Sequence, residues 1–193
     1  MFQIRIHGRG GQGVVTAAEL LSVAAFMDGK EAQAFPSFGS ERMGAPVVAY
    51  CRIDEAPIRL REPVSDPDAI VVQDSTLLHH VAVFEGLRTN GWVLVNSTRD
   101  PGALGLEDLF GLVPPEHLVT VPATDLAREQ IGRPLPNTCL LGALSALTGA
   151  VSIEAVGRAV ARRFEGQIGA RNVAAARAAY RYVSIQKEVV PDA

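Results

Sequence analysis

Cysteine is scarce in this chain. Two residues, Cys51 and Cys139, stand 88 positions apart among 193. They provide neither a disulfide framework nor the clustered thiolates that an iron–sulfur or structural zinc site needs, and both are expected as free thiols in a reducing compartment. There is no excess of basic charge either: the formal net charge is -3, which gives nucleic acid no electrostatic footprint to meet. No run of about 18 apolar residues long enough to span a bilayer occurs. The start, MFQIRIHGRGGQG, lacks the basic region and apolar stretch of a signal peptide. The phosphate-loop pattern G-x-x-x-x-G-K-[ST] is missing as well. The expectation is a cytoplasmic chain with neither nucleic acid nor membrane as a partner.

Apolar material, in contrast, is plentiful. With 48% hydrophobic residues the chain can build one well-buried core, and residues 1–193 read as a single domain. Phe2, Ile4 and Ile6 alternate with Gln3, Arg5 and His7, the period of a half-buried strand. VVTAAELLSVAAFMDGK then carries Val14, Ala17, Ala18, Leu21 and Ala25 at helical spacing and stops at Asp28-Gly29. AQAFPSFG reads as a second strand ended by Pro36, and PVVAYCRI as a third. DAIVVQD, GWVLVNS and LVTVPA are short apolar runs of the kind buried on both faces of a parallel sheet. TLLHHVAVFEGL between the first two of these reads as a helix. ATDLAREQIG, NTCLLGALSALTGA, SIEAVGRAVARRF and NVAAARAAYRYVSIQ follow as helices, with Thr124, Asn137 and Ser152 as N-caps. This pattern predicts an α/β fold, an open and mainly parallel Rossmann-like sheet flanked by helices, with a helical C-terminal third.

Three stretches stand out from this scaffold. Gly8, Gly10 and Gly13 fit G-x-G-x-x-G where the first strand meets the first helix, a place where a bare backbone and a helix start receive an anion. The same glycines also permit a tight turn with close helix packing. A dinucleotide site calls for a carboxylate at the end of the second strand; Ala34-Phe35-Pro36-Ser37 has none, which weakens the reading as a dinucleotide-dependent reductase. SFGSERMGAP, residues 37–46, is more elaborate than a hairpin needs, and Arg42 within it is suited either to a phosphate or to a local ion pair. GRPLPNTCLLGAL, residues 132–144, sets Asn137 at a helix start, as a cap or as a ligand contact.

Together "IHGRGGQGVVTAAELL" (6–21), "QAFPSFGSERMGAPVVAYCRI" (33–53) and "GRPLPNTCLLGAL" (132–144) resemble the gamma subunit of the 2-oxoacid:ferredoxin or acceptor oxidoreductases, of the pyruvate:ferredoxin oxidoreductase type. The resemblance implies a hetero-oligomer that oxidatively decarboxylates a 2-oxoacid on thiamine diphosphate. Electrons pass through iron–sulfur clusters to ferredoxin, and an acyl-CoA is released. It also implies that the gamma piece holds neither thiamine diphosphate nor a cluster, is inactive alone, contacts coenzyme A and packs against the thiamine-bearing and iron–sulfur subunits. Carried across by position, Gly10, Gly11, Gln12, Gly13 and Val14 correspond to a coenzyme A loop, Arg42 to a phosphate contact and Asn137 to a residue at the nucleotide end. Pyruvate is the expected oxoacid; branched-chain, aryl (phenylglyoxylate, indolepyruvate) and 2-oxoglutarate enzymes share the architecture.

The remaining polar residues point to less. His79, His80 and His117 have no cysteine or carboxylate at metal-ligand spacing. Ser37 and Ser40 lack a neighbouring histidine base. Arg158, Arg162, Arg163, Arg171, Arg177 and Arg181 read as a solvated basic face or as a surface for another subunit. No catalytic or metal-ligating residue is expected in this chain.

Overall fold

The computed structural model describes residues 1–37 and 43–189. Its strands are β1 (Phe2–Arg9), β2 (Glu31–Pro36), β3 (Pro46–Asp54), β4 (Ala69–Val72), β5 (Trp92–Asn96) and β6 (Leu118–Val121). Helix α1 (Val14–Met27) joins β1 to β2, and α2 (Ala123–Ile131), α3 (Asn137–Thr148), α4 (Ile153–Arg163) and α5 (Gly166–Val189) follow the sheet. The strands form one sheet in the order β2-β3-β1-β4-β5-β6. β1, β4, β5 and β6 are parallel, and β3 runs antiparallel to both neighbours.

The period-two pattern of β1 sorts its side chains between two layers. Ile4 and Ile6 join Ala17, Leu21, Cys51, Ala69, Val71 and Leu94 in the core beneath the helices. On the opposite face, Ile70, Val72, Val93 and Val95 pack against Leu104, Leu106, Leu109 and Val113. That second core is covered by short turns, not by crossover helices. The continuous apolar runs of β4 and β5 follow from burial on both sides.

Helix α3 is the hub of the helical layer, with ten of its twelve residues buried. Gly142 permits this, because a Cβ there would stand 1.9 Å from the carbonyl oxygen of Ala176 on α5. Leu140, Leu144 and Leu147 are each 1% exposed, and each such burial stabilises the fold by about 2 kcal/mol.

The sequence reading needs four corrections. TLLHHVAVFEGL forms one 3-10 turn, Ser75–His79, followed by loops from which Leu77, Val83 and Leu87 are buried. Thr124 is not a cap: α2 starts at Ala123, and Thr124 instead clasps Asn96, accepting from Nδ2 at 2.8 Å and donating its N–H to Oδ1 at 3.1 Å. Asn137 is the first helical residue of α3, and Pro136 holds the cap position. The last helix starts at Gly166, ahead of its clear apolar period. Ser152 does cap α4, accepting from Ala155 N at 3.1 Å, and Asp28 fixes it through a 2.7 Å hydrogen bond.

Candidate functional site

The turn after β1 is built from glycines because its backbone leaves the conformations other residues favour. Gly11 has φ +92° and Gly13 has φ +73°. Gly13 caps α1 without a side chain, so the helix starts bare, its first N–H groups turned out with their partial positive charge. Gly10 ties this turn to the next loop: its N–H donates to Ala45 O at 2.9 Å and its carbonyl accepts from Gly44 N at 3.1 Å.

Gln12 and Val14 take different parts. The Gln12 side chain is engaged within the protein, accepting from Arg9 N at 2.8 Å and donating to Asp74 Oδ2 at 2.9 Å. Arg9 reaches the same carboxylate at 3.2 Å. Burial opposes the Asp74 charge, but hydrogen bonds from Thr76 and Gln12 and the Arg9 charge outweigh it and hold the carboxyl below its ordinary range. Val14 is buried, its side chain packed in the core. Arg42 lies outside the described residues.

Asn137 meets the glycine turn directly. A Cβ on Gly13 would stand 2.5 Å from Asn137 Nδ2. Gly11, Gly13, Thr16 and Asn137 share a cleft of about 480 Å³ with Arg133, Arg163 and Arg171, and its lining among the described residues includes no carboxylate. Ile131, Leu135, Phe164 and Ile168 give it an apolar side. The structure thus brings Gly11, Gly13 and Asn137 together and adds Arg163 and Arg171, which the sequence placed on a solvated face or a surface for another subunit, and Arg133, which it did not single out. Nothing local marks them; the α2–α3 connection and the α4–α5 bend bring them to the glycine turn.

Reactive groups elsewhere are quiescent. Burial pushes the Cys51 and Cys139 thiols up to about 12. Burial and the neighbouring Arg5 push His7 down to about 3. Among the described residues no cluster of three or more histidine, cysteine or acidic side chains is placed to hold a metal, and no helix is long and apolar enough to cross a membrane. The strand after α1 is not the neighbour of β1, since β3 intervenes, so the end of β2 does not flank the glycine turn as it does in a dinucleotide fold.

The described residues form an open α/β sheet with a glycine turn beside an arginine-lined cleft. The chain belongs to the pyruvate ferredoxin/flavodoxin oxidoreductase family, which matches residues 3–182. It is similar to pyruvate synthase subunit PorC of Methanocaldococcus jannaschii, 47% identical over 180 residues, covering 93% of this chain and 96% of the relative. It is also similar to the pyruvate/ketoisovalerate oxidoreductases common subunit gamma of Pyrococcus abyssi, 48% identical over 185 residues, covering 96% and 98%. Among solved structures, pyruvate oxidoreductase subunit PORC of Thermotoga maritima matches with a TM-score of 0.78 and 38% identity, covering 93% of this chain and 95% of that one. The chain is a gamma subunit of a multi-subunit complex of the pyruvate:ferredoxin oxidoreductase type.

Proposed function

We propose that this chain, one domain over residues 1–193, is the subunit that contacts coenzyme A in a cytoplasmic, thiamine-dependent 2-oxoacid:ferredoxin oxidoreductase acting on pyruvate. Thiamine diphosphate and the iron–sulfur clusters belong to partner subunits, where decarboxylation and electron transfer to ferredoxin take place. This chain binds and orients the acyl acceptor and has no activity alone. The observation that carries the reading is the cleft joining Gly11, Gly13 and Asn137 to Arg133, Arg163 and Arg171. A coenzyme with phosphates at one end and a less polar arm matches a cleft with cations and helix-start N–H groups on one side and apolar side chains on the other. Gly10, Gln12 and Val14 contribute through their backbone, and Arg42 adds a phosphate contact.

The Pyrococcus abyssi relative is named as common to pyruvate and ketoisovalerate enzymes. This favours a division of labour in which the thiamine-bearing subunits select the oxoacid, so a branched-chain substrate stands as a second reading for the same gamma subunit.

The test is a coenzyme A titration of the assembled complex at saturating pyruvate. Arg171→Ala and Asn137→Asp each raise half-saturating coenzyme A about tenfold or more, the loss of one charge-assisted contact of about 1.5–3 kcal/mol, while thiamine content stays unchanged. Normal assembly with unaltered coenzyme A dependence in both variants would refute the reading.

A further inference from the structure

Strand β2 ends the sheet on one side, with β3 as its one neighbour among the described strands. The Ser37 N–H donates to Val48 O at 2.8 Å, continuing the register that sets Gln33 opposite Arg52 and Phe35 opposite Tyr50. Antiparallel ladders alternate, so Glu31, Gln33 and Phe35 turn their backbone groups toward β3, while the N–H and C=O of Ala32 and Ala34 point away from the sheet. Among the described residues no turn or loop backbone takes these groups up. An open edge of this kind pairs with another chain unless charge, a bulge or a cover blocks it. Glu31 and Pro36 guard the two ends of β2, but the middle, Ala32 to Phe35, carries no charge.

The helical layer is unfinished at the same place. Leu20, Val23 and Phe26 of α1, Ala32 of β2 and Ala159 of α4 line a groove of about 560 Å³. Phe26 is 71% exposed, a large apolar knob beside an apolar hole. Glu19 lines the groove together with Arg162 and Arg163, and among the described residues it forms an ion pair with neither.

A contact between identical chains about a two-fold axis needs each feature and its complement on one patch. This patch has the knob and the hole, the acid and the base, and a strand edge whose donors and acceptors match themselves when run antiparallel. We infer that the β2 edge and the α1–α4 groove form a two-fold interface between two copies of this chain. The axis passes beside Gln33. Ala32 of one copy lies opposite Ala34 of the other, each such pair exchanging both N–H···O bonds, so that the two sheets become one. Phe26 of each copy fills the other's groove, and Glu19 meets the second copy's Arg162, opposite charges that fix the register. Within the complex the same contact pairs the gamma subunits. The inference does not rest on the coenzyme A reading.

The test is the mass of the full chain in solution, by light scattering and sedimentation equilibrium. The wild-type chain is a dimer with a micromolar or tighter dissociation constant. Ala34→Pro removes an outward N–H without touching the β3 ladder, a substitution that edge strands tolerate, and Phe26→Asp puts a charge in the groove. Each raises the dissociation constant about tenfold or more while the far-UV circular dichroism stays that of the wild type. Gln33→Cys reports the register: residues facing each other across the axis in a non-hydrogen-bonded pair have Cα atoms about 4.5 Å apart, within disulfide reach. Oxidation therefore links two copies, in the isolated chain and in the assembled complex alike, whereas Glu31→Cys, displaced along the edge, stays unlinked. A monomeric wild-type chain, a dimer that Ala34→Pro and Phe26→Asp leave intact, or a Gln33→Cys complex that stays unlinked overturns the inference; a different subunit seated on this edge shows as the last of these. Failure of the coenzyme A reading shows separately, as unaltered coenzyme A dependence in Arg171→Ala and Asn137→Asp.

Discussion

The side-chain amide of Asn137 lies against the backbone of Gly13, so closely that a Cβ on Gly13 would stand 2.5 Å from Nδ2. Gly13 also holds φ +73° as the cap of α1. One contact therefore fixes the start of α1 relative to the start of α3, and both helix starts face the arginine cleft.

Gly13→Ala breaks both conditions, the left-handed backbone and the close approach, and is expected to cost about 2 kcal/mol or more. Asn137→Ala removes the obstructing amide but not the backbone strain. In a double-mutant cycle by urea denaturation, the double variant is less destabilised than the sum of the singles, by about 1 kcal/mol. Strict additivity would show that the contact is not formed.

Asn137→Asp puts a carboxylate where it repels an anion in the cleft. Asn137 is 8% exposed, so burial of the new charge opposes the favourable helix-dipole interaction of about 0.3–1 kcal/mol. Coenzyme A half-saturation of the complex is expected to rise. Because Arg133, Arg163 and Arg171 are exposed, the same half-saturation should climb with added salt. A salt-independent value would remove the arginines from the site.

Much of this fold could be read from periodicity. The alternation of Ile4 and Ile6, the apolar runs of β4 and β5 and the stripe of α1 each follow from one burial rule. What escaped was set by tertiary fit: α3 is apolar nearly all round because other elements enclose it, and the loops after β4 cover a face where crossover helices were expected. The site divides the same way. The glycines at 10, 11 and 13 advertise themselves through backbone freedom, and Asn137 through its block. Arg163 and Arg171 look like any solvated helix end until the bend between α4 and α5 brings them to the cleft.

The Asp74 latch makes a further claim. Asp74 receives Gln12, Arg9 and Thr76 at once, joining the glycine turn to the end of β4. Asp74→Ala leaves these donors unpaired and is expected to destabilise the chain by about 1–3 kcal/mol. Gln12→Ala costs less, about 1 kcal/mol, because Asp74 keeps Arg9 and Thr76. Equal Tm values for both variants and wild type would show that the latch contributes nothing.

His7 gives the fold a pH dependence. Arg5 Nε donates to His7 Nε2 at 3.1 Å, and Arg5 is itself held by the carbonyls of Val83, at 2.9 Å, and of Glu85. The imidazole nitrogen must therefore stay unprotonated, in keeping with burial and the Arg5 charge pushing its pKa from 6.5 down to about 3. Between those values the unfolded chain binds a proton at residue 7 that the folded chain refuses. The contribution of neutral His7 is complete above pH 6.5 and declines as pH falls through that window, by up to about 1.4 kcal/mol per pH unit. His7→Gln keeps an acceptor for Arg5 and cannot titrate. Urea denaturation at closely spaced pH values between about 5 and 7, above the range where carboxylates titrate, should show the wild-type curve falling more steeply on the acid side than that of His7→Gln. Parallel curves would mean that His7 takes up its proton in the folded chain as readily as in the unfolded one, and that the Arg5–His7 hydrogen bond does not set its state.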